Sequence, residues 1–489
     1  MRKLLLATAA TLSVGIGLAS EVHAQAFPTP GTVTVRLNGR MRFYAGDIQD
    51  SDVNNNVQGS ANGATPLTGQ NKLATYRFGV YSRLYPGFDG VAANGLKYGV
   101  SLEIRQDQSS GAGGGVYGSI SQQDRARAAL YFRRETGYIG TDKLGTIRVG
   151  ATDGPNTLYL TGTFENFNDG GWNGDAPGLI AGNAVAVWPF ADIGNLYTTT
   201  KVIYLSPQLY GFDFGVSYEP NTGNVLNTSG CGTGGPLGTN FVTPGGAVQG
   251  TISAATGVGG GAAGTAAGTG STATTIGAAG ANGQSVAGPG CDALSSTPTG
   301  DYTRRRNTFD GLIRYRGSFA GFGVAATAGY IGSGKIDDNS TPQRAVQYDG
   351  LSVGDAGLTV TYGGFQVGGN YQYGKYNEGY ALLQKNAPNA EAWIVGASYT
   401  LGPVIVGASY FDFVNAGNTT ESAFGRQRRE QGIAAGGTYS VAPGLSLFAS
   451  YLYGQRKQNG FNFVTGVAGD PNHNRMTSQA FVLGTSFAW

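Results

Sequence analysis

The chain has little histidine, cysteine or charge. Only two of its 489 residues are His, one of them within the first 25, so neither histidine-based catalysis nor histidine metal binding is favoured. Two Cys are too few for a disulfide-dense scaffold or a four-thiolate zinc site. Charged residues reach 13%, and the net charge of +2 is not the concentrated basic excess of a nucleic-acid-binding domain. We predict no metal, no cofactor and no nucleic-acid partner.

Glycine and aromatic residues are abundant instead. The chain has 84 Gly, 27 Tyr and 23 Phe, and its aromatic share is 11%. So many aromatic residues argue against wholesale disorder. Glycine destabilises a helix interior by about 1 kcal/mol relative to Ala, so the composition favours a folded chain that is not helical.

Residues 1–24 have the organisation of an export signal. Arg2 and Lys3 precede an apolar run at 4–19, and Val22-His23-Ala24 supplies the small residues of a cleavage site. An uncleaved membrane anchor is the alternative, but the apolar run is short and no basic stop-transfer segment follows it. We predict a signal peptide at 1–24, with cleavage after residue 26 as the second choice, because Ala24-Gln25-Ala26 also fits.

The rest of the chain alternates apolar and polar residues with the two-residue period of a β-strand. In 32–44, TVTVRLNGRMRFY, one parity is apolar and the other is strongly basic. A soluble sandwich can use such a strand, and so can a barrel wall between lipid and a wet lumen. The pattern predicts sixteen strands: 32–44, 73–84, 96–105, 125–133, 144–152, 197–206, 211–219, 306–317, 320–332, 346–362, 364–375, 391–401, 403–413, 428–441, 445–456 and 476–489.

The connections between these strands alternate between short and long. Short ones such as 140–143 and 402–403 separate long ones such as 153–196 and 220–303. Outer-membrane barrels place all long loops at one end, whereas soluble sandwiches have no reason to do so. The uncharged stretch 394–411 is long enough for a spanning helix, but it contains VGASY twice around a Gly-Pro break and therefore indicates a hairpin.

Three segments resemble the general porins of the Gram-negative outer membrane. They are the hairpin 138–150, the strand-turn-strand 204–218 and the C-terminal strand that ends in SFAW. The resemblance implies an all-β, 16-stranded antiparallel transmembrane β-barrel at 27–489, with short periplasmic turns, long outer loops and an inward-folded third loop. It also implies a homotrimer in the cell outer membrane, in contact with outer-membrane lipid and lipopolysaccharide. A flat apolar wall of small residues, such as Ala397, Ala408, Ala434 and Ala435, would let neighbouring barrels approach closely. The last alternating residues look like the signal read by the barrel-assembly machinery: Phe481, Leu483, Phe487 and Trp489.

The sequence departs from the porin pattern in three places. The last residue is Trp where the family usually ends in Phe, and the pore loop has no acidic Pro-Glu-Phe-type tip. The loop at about 220–303 is also far longer than the family norm. These departures leave the barrel prediction intact and weaken any transfer of ion selectivity.

Nine arginines on the lumen parity of the first five strands predict a permanently positive wall. The third outer loop carries five acids and no Lys or Arg, so folding it inward would set opposite charges across the constriction. Simple solvation of a hydrophilic surface is the alternative interpretation of these charges. The predicted constriction residues are Arg36, Arg40, Arg42, Arg77, Arg83, Arg125, Arg127, Arg133, Arg148, Asp153, Glu165, Asp169, Asp175 and Asp192.

Acids are fewer than arginines on these first five strands. We count Glu103, Asp107 and Glu135 against the nine arginines, and the five loop acids offset part of the basic excess. The balance predicts a weak preference for anions, together with a modest transverse field across the constriction.

The outer loops carry two further features. The segment 244–290 is rich in Gly, Ala, Thr and Ser and cannot bury a core, so we predict a low-complexity surface loop. Cys231 and Cys291 bracket it, and an oxidising compartment favours a disulfide between them. The basic runs 304–306 and 426–429 at the outer rim are equally consistent with lipopolysaccharide phosphate binding and with ordinary solvated charge.

These observations predict a water-filled channel for the passive diffusion of ions and small hydrophilic solutes. A substrate-selective outer-membrane channel and a barrel-anchored surface adhesin remain alternatives. A barrel enzyme would need a catalytic arrangement on the outer rim, and the mature chain offers only His473, with no Ser or acid tied to it by spacing. We therefore predict that the protein is not an enzyme.

Overall fold

The computed structural model describes most of the predicted strands and part of the third outer loop. The described residues are 28–51, 74–107, 131–164, 167, 171–174, 176–180, 184–190, 199–221, 305–335, 349–377, 380, 382–383, 385–417, 427–463, 467–468 and 472–489. The predicted signal peptide, Cys231, Cys291 and the segment 244–290 lie outside them, so these remain predictions.

Eighteen strands follow one another along the described chain. The first nine are β1 (Thr32–Asp50), β2 (Tyr76–Val91), β3 (Lys97–Asp107), β4 (Tyr131–Thr141), β5 (Gly145–Ala151), β6 (Thr200–Leu205), β7 (Phe212–Asn221), β8 (Arg305–Phe319) and β9 (Phe322–Lys335). The others are β10 (Ser352–Tyr362), β11 (Phe365–Lys375), β12 (Ala390–Leu401), β13 (Val404–Asn415), β14 (Arg428–Ala442), β15 (Leu445–Gln458), β16 (Phe461–Asn462), β17 (Val467–Ala468) and β18 (Arg475–Ala488).

Sixteen of these strands form one closed antiparallel barrel, as predicted. Each barrel strand pairs with its neighbours along the chain, and β1 closes the ring by pairing with β18, with Arg40 opposite Ala488. At the seam, the backbone amides of Gly39 and Trp489 each donate to the other residue's carbonyl oxygen, at 3.2 and 3.1 Å. The remaining two strands, β16 and β17, pair with each other outside the barrel.

The fourth strand is the largest departure from the predicted boundaries. The alternation placed it at 125–133, whereas the described strand, Tyr131–Thr141, ends eight residues later; residues 125–130 lie outside the described residues. A β-bulge opposite Glu103 and Ile104 shifts the register there, so the alternation changes parity within the strand. The hairpin 138–150 is present as predicted, with β4 and β5 on either side of a short turn. Strand β2 also runs past Pro86 to Val91.

The outward face of the barrel is apolar, as lipid contact requires. On β1 and β2, Val35, Leu37 and Phe78 are exposed by 66–79%. The short turns lie at one end, which is the periplasmic end in outer-membrane barrels, and the long connections lie at the other. Among the described residues, no helix is long and apolar enough to cross a membrane.

The third outer loop, between β5 and β6, folds into the barrel, as predicted. We call residues 152–199 the pore loop. Its described parts include a short helix α1 (Pro155–Leu158) and two 3-10 turns at Gly171–Asn173 and Ala176–Leu179. The Asp310 carboxylate on β8 accepts a hydrogen bond from the backbone amide of Asn156 at 3.0 Å and so holds the start of the loop.

The pore loop crosses the lumen and packs on the inner face of β12–β15 and β18, which we call the apolar wall. The loop contributes buried aromatic residues, including Phe167, Trp172 and Phe190. The wall contributes buried side chains that come from five adjacent strands and share one inward face: Ala392, Ile394, Phe411, Phe413, Ala434, Leu452, Ala480 and Val482. Burial of this apolar surface stabilises the loop inside the barrel.

Two glycines of the apolar wall make room for Trp172. A Cβ at Gly432 would overlap the Trp172 indole and the Phe411 ring, and a Cβ at Gly454 would overlap the indole from the neighbouring strand. The indole nitrogen donates to the Ile433 carbonyl at 3.1 Å, and its ring meets Phe411 edge-on at 6.2 Å. Trp172 is therefore the central anchor of the loop.

The outer wall also corrects one expectation about small residues. The sequence suggested that Ala397, Ala408, Ala434 and Ala435 together form a flat outer surface for a neighbouring barrel. Because adjacent strand residues face opposite ways, Ala435 lies outward while Ala434 is buried under the pore loop, 1% exposed. Ala397 and Ala408 pair with each other on the outward face.

Candidate pore constriction

Strands β1–β5 bring the predicted arginines to one side of the lumen, which we call the basic wall. The apolar neighbours of these arginines face outward, so the strand period turns the guanidinium groups inward. Arg125 and Arg127 lie outside the described residues. The described members of the predicted set are Arg36, Arg40, Arg42, Arg77, Arg83, Arg133 and Arg148.

Glu103 on β3 is the shared acceptor of this wall. Its buried carboxylate lies 2.5 Å from Arg105 Nε, 2.7 Å from Arg134 Nη1, 3.1 Å from Arg133 Nη1 and 3.5 Å from Arg83 Nη1. One negative charge therefore holds four positive charges, and the cluster keeps a net positive charge. Low exposure of the carboxylate, 4%, strengthens these contacts relative to surface ion pairs.

The aromatic ring of Tyr81 on β2 contacts the guanidinium groups of three arginines. The guanidinium carbons of Arg83, Arg40 and Arg105 lie 4.3, 5.5 and 5.8 Å from the ring centroid. Arg40 also donates to the Tyr81 hydroxyl at 3.5 Å. These contacts fix the direction of long side chains that would otherwise sample many rotamers.

Separate contacts hold the other arginines of the basic wall that lie outside this cluster. Arg36 pairs with Asp89 at 2.6 Å, and the Tyr138 hydroxyl donates to the same carboxylate. Arg42 donates to Ser486 Oγ at 3.3 Å across the barrel seam. Arg77 donates to the Leu179 carbonyl of the pore loop, so the loop touches the basic wall there.

One of the five predicted loop acids is among the described residues. Asp153 lies 2.8 Å from Arg134 Nε and 2.9 Å from Arg134 Nη2, at the point where β5 leads into the pore loop. Arg148 donates to Thr152 Oγ1 at 3.4 Å beside it. Glu165, Asp169, Asp175 and Asp192 lie outside the described residues.

Two arginines of the basic wall were absent from the predicted set. Arg105 shares the parity of Glu103, and this alternation was a sufficient signal to find it. Arg134 follows Arg133 directly and reaches the lumen only because of the bulge, which the sequence does not announce. Glu135 then faces outward opposite Leu102, so this strand acid does not face the lumen.

A second charged cluster lies at the periplasmic ends of β7 and β8. Asp213 is 2.7 Å from Arg314 and 2.8 Å from Arg316. The Arg314 guanidinium lies over the Tyr159 ring of the pore loop, 3.8 Å from its centroid. Burial raises the pKa of the Tyr159 hydroxyl, and the negative charge of Asp213 raises it further, so the phenol stays neutral. This cluster was not among the sequence-based predictions.

Among the inward side chains described on β1–β5 and at the start of the pore loop, arginines outnumber carboxylates. The carboxylates are Asp50, Asp89, Glu103 and Asp153, and each contacts at least one arginine. The arginines are Arg36, Arg40, Arg42, Arg77, Arg83, Arg105, Arg133, Arg134 and Arg148. Guanidinium groups keep their charge at any working pH, so this excess is a fixed positive charge on the lumen face of these strands.

The predicted C-terminal signal residues lie on the outward face of β18 and directly after its end. Phe481, Leu483, Phe487 and Trp489 are exposed by 46–56%. Their position at the barrel seam is compatible with recognition during assembly, which remains a prediction.

A family model described as Gram-negative porin matches residues 248–484, a stretch that includes β8–β15 and most of β18. Over that stretch, just under half of the chain, the sequence is that of a Gram-negative porin. This porin is a β-barrel diffusion channel of the outer membrane and not an enzyme, as predicted.

Solved porin structures resemble this porin over nearly its whole length. The Salmonella typhi OmpF complex with daunomycin is 13% identical with a TM-score of 0.51, covering 93% of this chain and 97% of that chain. An anion-selective porin from Comamonas acidovorans is 12% identical with a TM-score of 0.49, covering 94% of this chain and 100% of that chain. The OmpT loop L8 deletion mutant from Vibrio cholerae is 13% identical with a TM-score of 0.46, covering 94% of this chain and 99% of that chain. No curated protein sequence matches the chain.

Proposed function

We propose that this porin is a water-filled channel with a weak preference for anions, constricted between the basic wall and the pore loop. Its solutes are ions and small hydrophilic molecules that diffuse passively. The observation that carries the proposal is the excess of inward arginines over inward carboxylates on β1–β5. Fixed positive charge in a narrow passage with low-dielectric walls raises the local concentration of anions.

The transverse field of the constriction favours charged and dipolar solutes over apolar ones. On the basic wall, guanidinium groups gather around Glu103 and Tyr81. Across the lumen, the apolar wall is already covered by the pore loop. An apolar solute would gain no open apolar surface in exchange for displacing water from the arginines.

The proposal is tested by reversal potentials across planar bilayers that separate unequal KCl concentrations. Replacing Arg40 and Arg83 by Gln should shift the reversal potential toward cations. The shift should shrink by about two-thirds between 0.1 M and 1 M salt, as the Debye length falls from about 10 Å to 3 Å.

The matched control replaces Lys457 and Arg475 by Gln, which removes the same charge from the outward face of β15 and β18. This control should keep the wild-type reversal potential, because its charges lie outside the lumen. Equal reversal potentials for the two double variants would contradict the proposal.

We also propose that three copies associate through their outward walls. Membership of the porin family supports a trimer, and the small outward residues Ala397, Ala408 and Ala435 would let neighbouring barrels approach closely. Native mass spectrometry in a mild detergent should give a trimer. A spectrum with monomer alone would contradict this assembly.

A further inference from the structure

The closing seam between β1 and β18 differs from the other pairings of the barrel. Each of the others joins barrel strands that follow one another along the chain, so a single connection links them. The closing seam joins the first barrel strand to the last, with residues 40–50 opposite residues 478–488. Because no single connection holds these two strands near each other, their pairing depends more on the side chains that contact both.

The inward side of the seam leaves a gap that the pore loop fills. Three successive inward pairs each combine a larger residue with a small one: Tyr44 with Gly484, Gly46 with Val482, and Ile48 with Ala480. A Cβ at Gly46 would lie 2.8 Å from Leu179 Cδ1 and 3.2 Å from Val482 Cγ2. Leu179, at the end of the 3-10 turn Ala176–Leu179, therefore packs over both strands of the seam.

Two hydrogen bonds hold this part of the pore loop from either side of the seam. On β2, the Arg77 guanidinium donates to the Leu179 carbonyl. On β18, Ser478 Oγ donates to the Ala184 carbonyl at 2.9 Å. Since β1 lies between β2 and β18 in the barrel, the loop is attached to both sides of the seam.

Apolar burial joins the same part of the loop to the seam. Ile180 and Ala184 of the loop, and Ile48, Ala480 and Val482 of the seam, are each at most 1% exposed and belong to one buried cluster. Separating β1 from β18 would expose this apolar surface to water in the lumen, which is unfavourable. The seam can therefore open only if the loop detaches from one of its strands.

We propose that the pore loop is an internal strap that holds the closing seam of the barrel together. Leu179 packs on both seam strands, while Arg77 and Ser478 attach the loop on either side of the seam. This role goes beyond the constriction of the channel, because it opposes the separation of two strands and does not act on solutes.

The other anchors of the pore loop provide a comparison. A Cβ at Gly396 on β12 would lie 2.7 Å from the Phe164 ring, and Thr438 Oγ1 on β14 donates to the Phe167 carbonyl at 2.9 Å. Short turns connect β12 to β13 and β14 to β15. Loss of these anchors should loosen the loop without separating the strands that carry them.

Hydrogen–deuterium exchange of the detergent-solubilised porin, followed by mass spectrometry on peptides from β1 and β18, tests the strap. Local opening of the seam exposes its backbone amides, so a weaker strap gives faster exchange. Leu179→Ala should speed exchange at the seam by about 10-fold or more, and Ser478→Ala by about threefold. Exchange in β9 and β10 should stay within about twofold of wild type, since these strands lie away from the seam.

The matched controls remove the same kinds of contact away from the seam. Phe164→Ala truncates a buried loop side chain that packs on β12, and Thr438→Val removes a hydroxyl that donates to a loop carbonyl. Both controls should leave exchange at the seam within about twofold of wild type.

Three results would overturn the proposal. The first is wild-type exchange at the seam in Ser478→Ala and Leu179→Ala. The second is equal acceleration at the seam in the control variants, which would mean that any loosening of the loop has this effect. The third is equal acceleration in β9 and β10, which would indicate general destabilisation. Ser478→Ala removes a single hydrogen bond, so its exchange decides the matter even where Leu179→Ala does not assemble.

Discussion

The two sides of the barrel lumen share one strand geometry and have opposite chemistry. The inner face of β1–β5 is a basic wall whose arginines contact carboxylates, a tyrosine ring and the pore loop. The inner face of β12–β15 and β18 is an apolar wall that is buried under the same loop. Both sides present apolar residues to the outside. The difference therefore arises from the inward parity alone.

This comparison explains where the water-filled passage lies. The pore loop is attached to the apolar wall by burial of Trp172 and by polar contacts such as Thr438 Oγ1 to the Phe167 carbonyl at 2.9 Å. The loop also meets the charged side at Leu179, beside Gly46 and Arg77, and we propose that the water-filled passage runs along the rest of that side. A barrel with the same alternation on both inner walls would give the loop no preferred side.

The largest expected effect comes from weakening the apolar side. Trp172→Ala removes the indole that packs against the glycines of the apolar wall. It should destabilise the protein by about 3–5 kcal/mol, as for other buried Trp-to-Ala changes. The released loop should also raise single-channel conductance and its fluctuations. Thermal unfolding and bilayer recording measure the two effects.

The control for this change is Trp393→Ala. Trp393 lies on the outward face with its ring centroid 5.2 Å from that of Tyr410, where lipid or detergent can replace the lost contact. It should cost less stability and leave conductance unchanged. If both Trp variants behave alike, the pore loop is not held by the apolar wall.

An intermediate effect comes from the charged side. Glu103→Gln removes the charge that four arginines share and should cost about 2 kcal/mol, less than in a dry core because water reaches the lumen. One more positive charge remains uncompensated, so the reversal potential should shift toward anions. Salt-gradient reversal potentials and thermal unfolding measure the outcome.

The matched control on the charged side is Glu135→Gln, the same chemical change on the outward face of the adjacent strand. It should leave the reversal potential at the wild-type value. A shift of equal size in both variants would mean that the basic wall does not set the ion preference.

The smallest expected effect comes from a segment that belongs to neither wall. Deleting 244–290 should change the free energy of unfolding by less than about 0.5 kcal/mol, because surface loops tolerate length changes at small entropic cost. Conductance should also persist. Cys231 and Cys291 remain in this variant and should resist alkylation until they are reduced. A folded barrel is expected to change its migration on gels when it is heated. If the variant no longer shows this change, the segment packs into the structure.

Much of the barrel could be predicted from local alternation. The period of two placed Arg36 and Arg40 on one face and Val35 and Leu37 on the other, because side-chain direction in a strand depends only on parity. The predictions failed where the alternation of side-chain direction along a strand is interrupted. The bulge beside Glu103 brought Arg134 inward and turned Glu135 outward, and the fourth strand runs to Thr141, past its predicted end.

The sequence by itself determined the number of strands and their faces, and its porin resemblance implied the inward fold of the third loop. Only the tertiary structure decided which side of the lumen the loop covers and which arginines share Glu103. These contacts join residues far apart in the chain, such as Trp172 with Ile433 or Arg77 with Leu179. Strand period is a local property of the backbone, whereas strand register and loop packing depend on how distant side chains fit together.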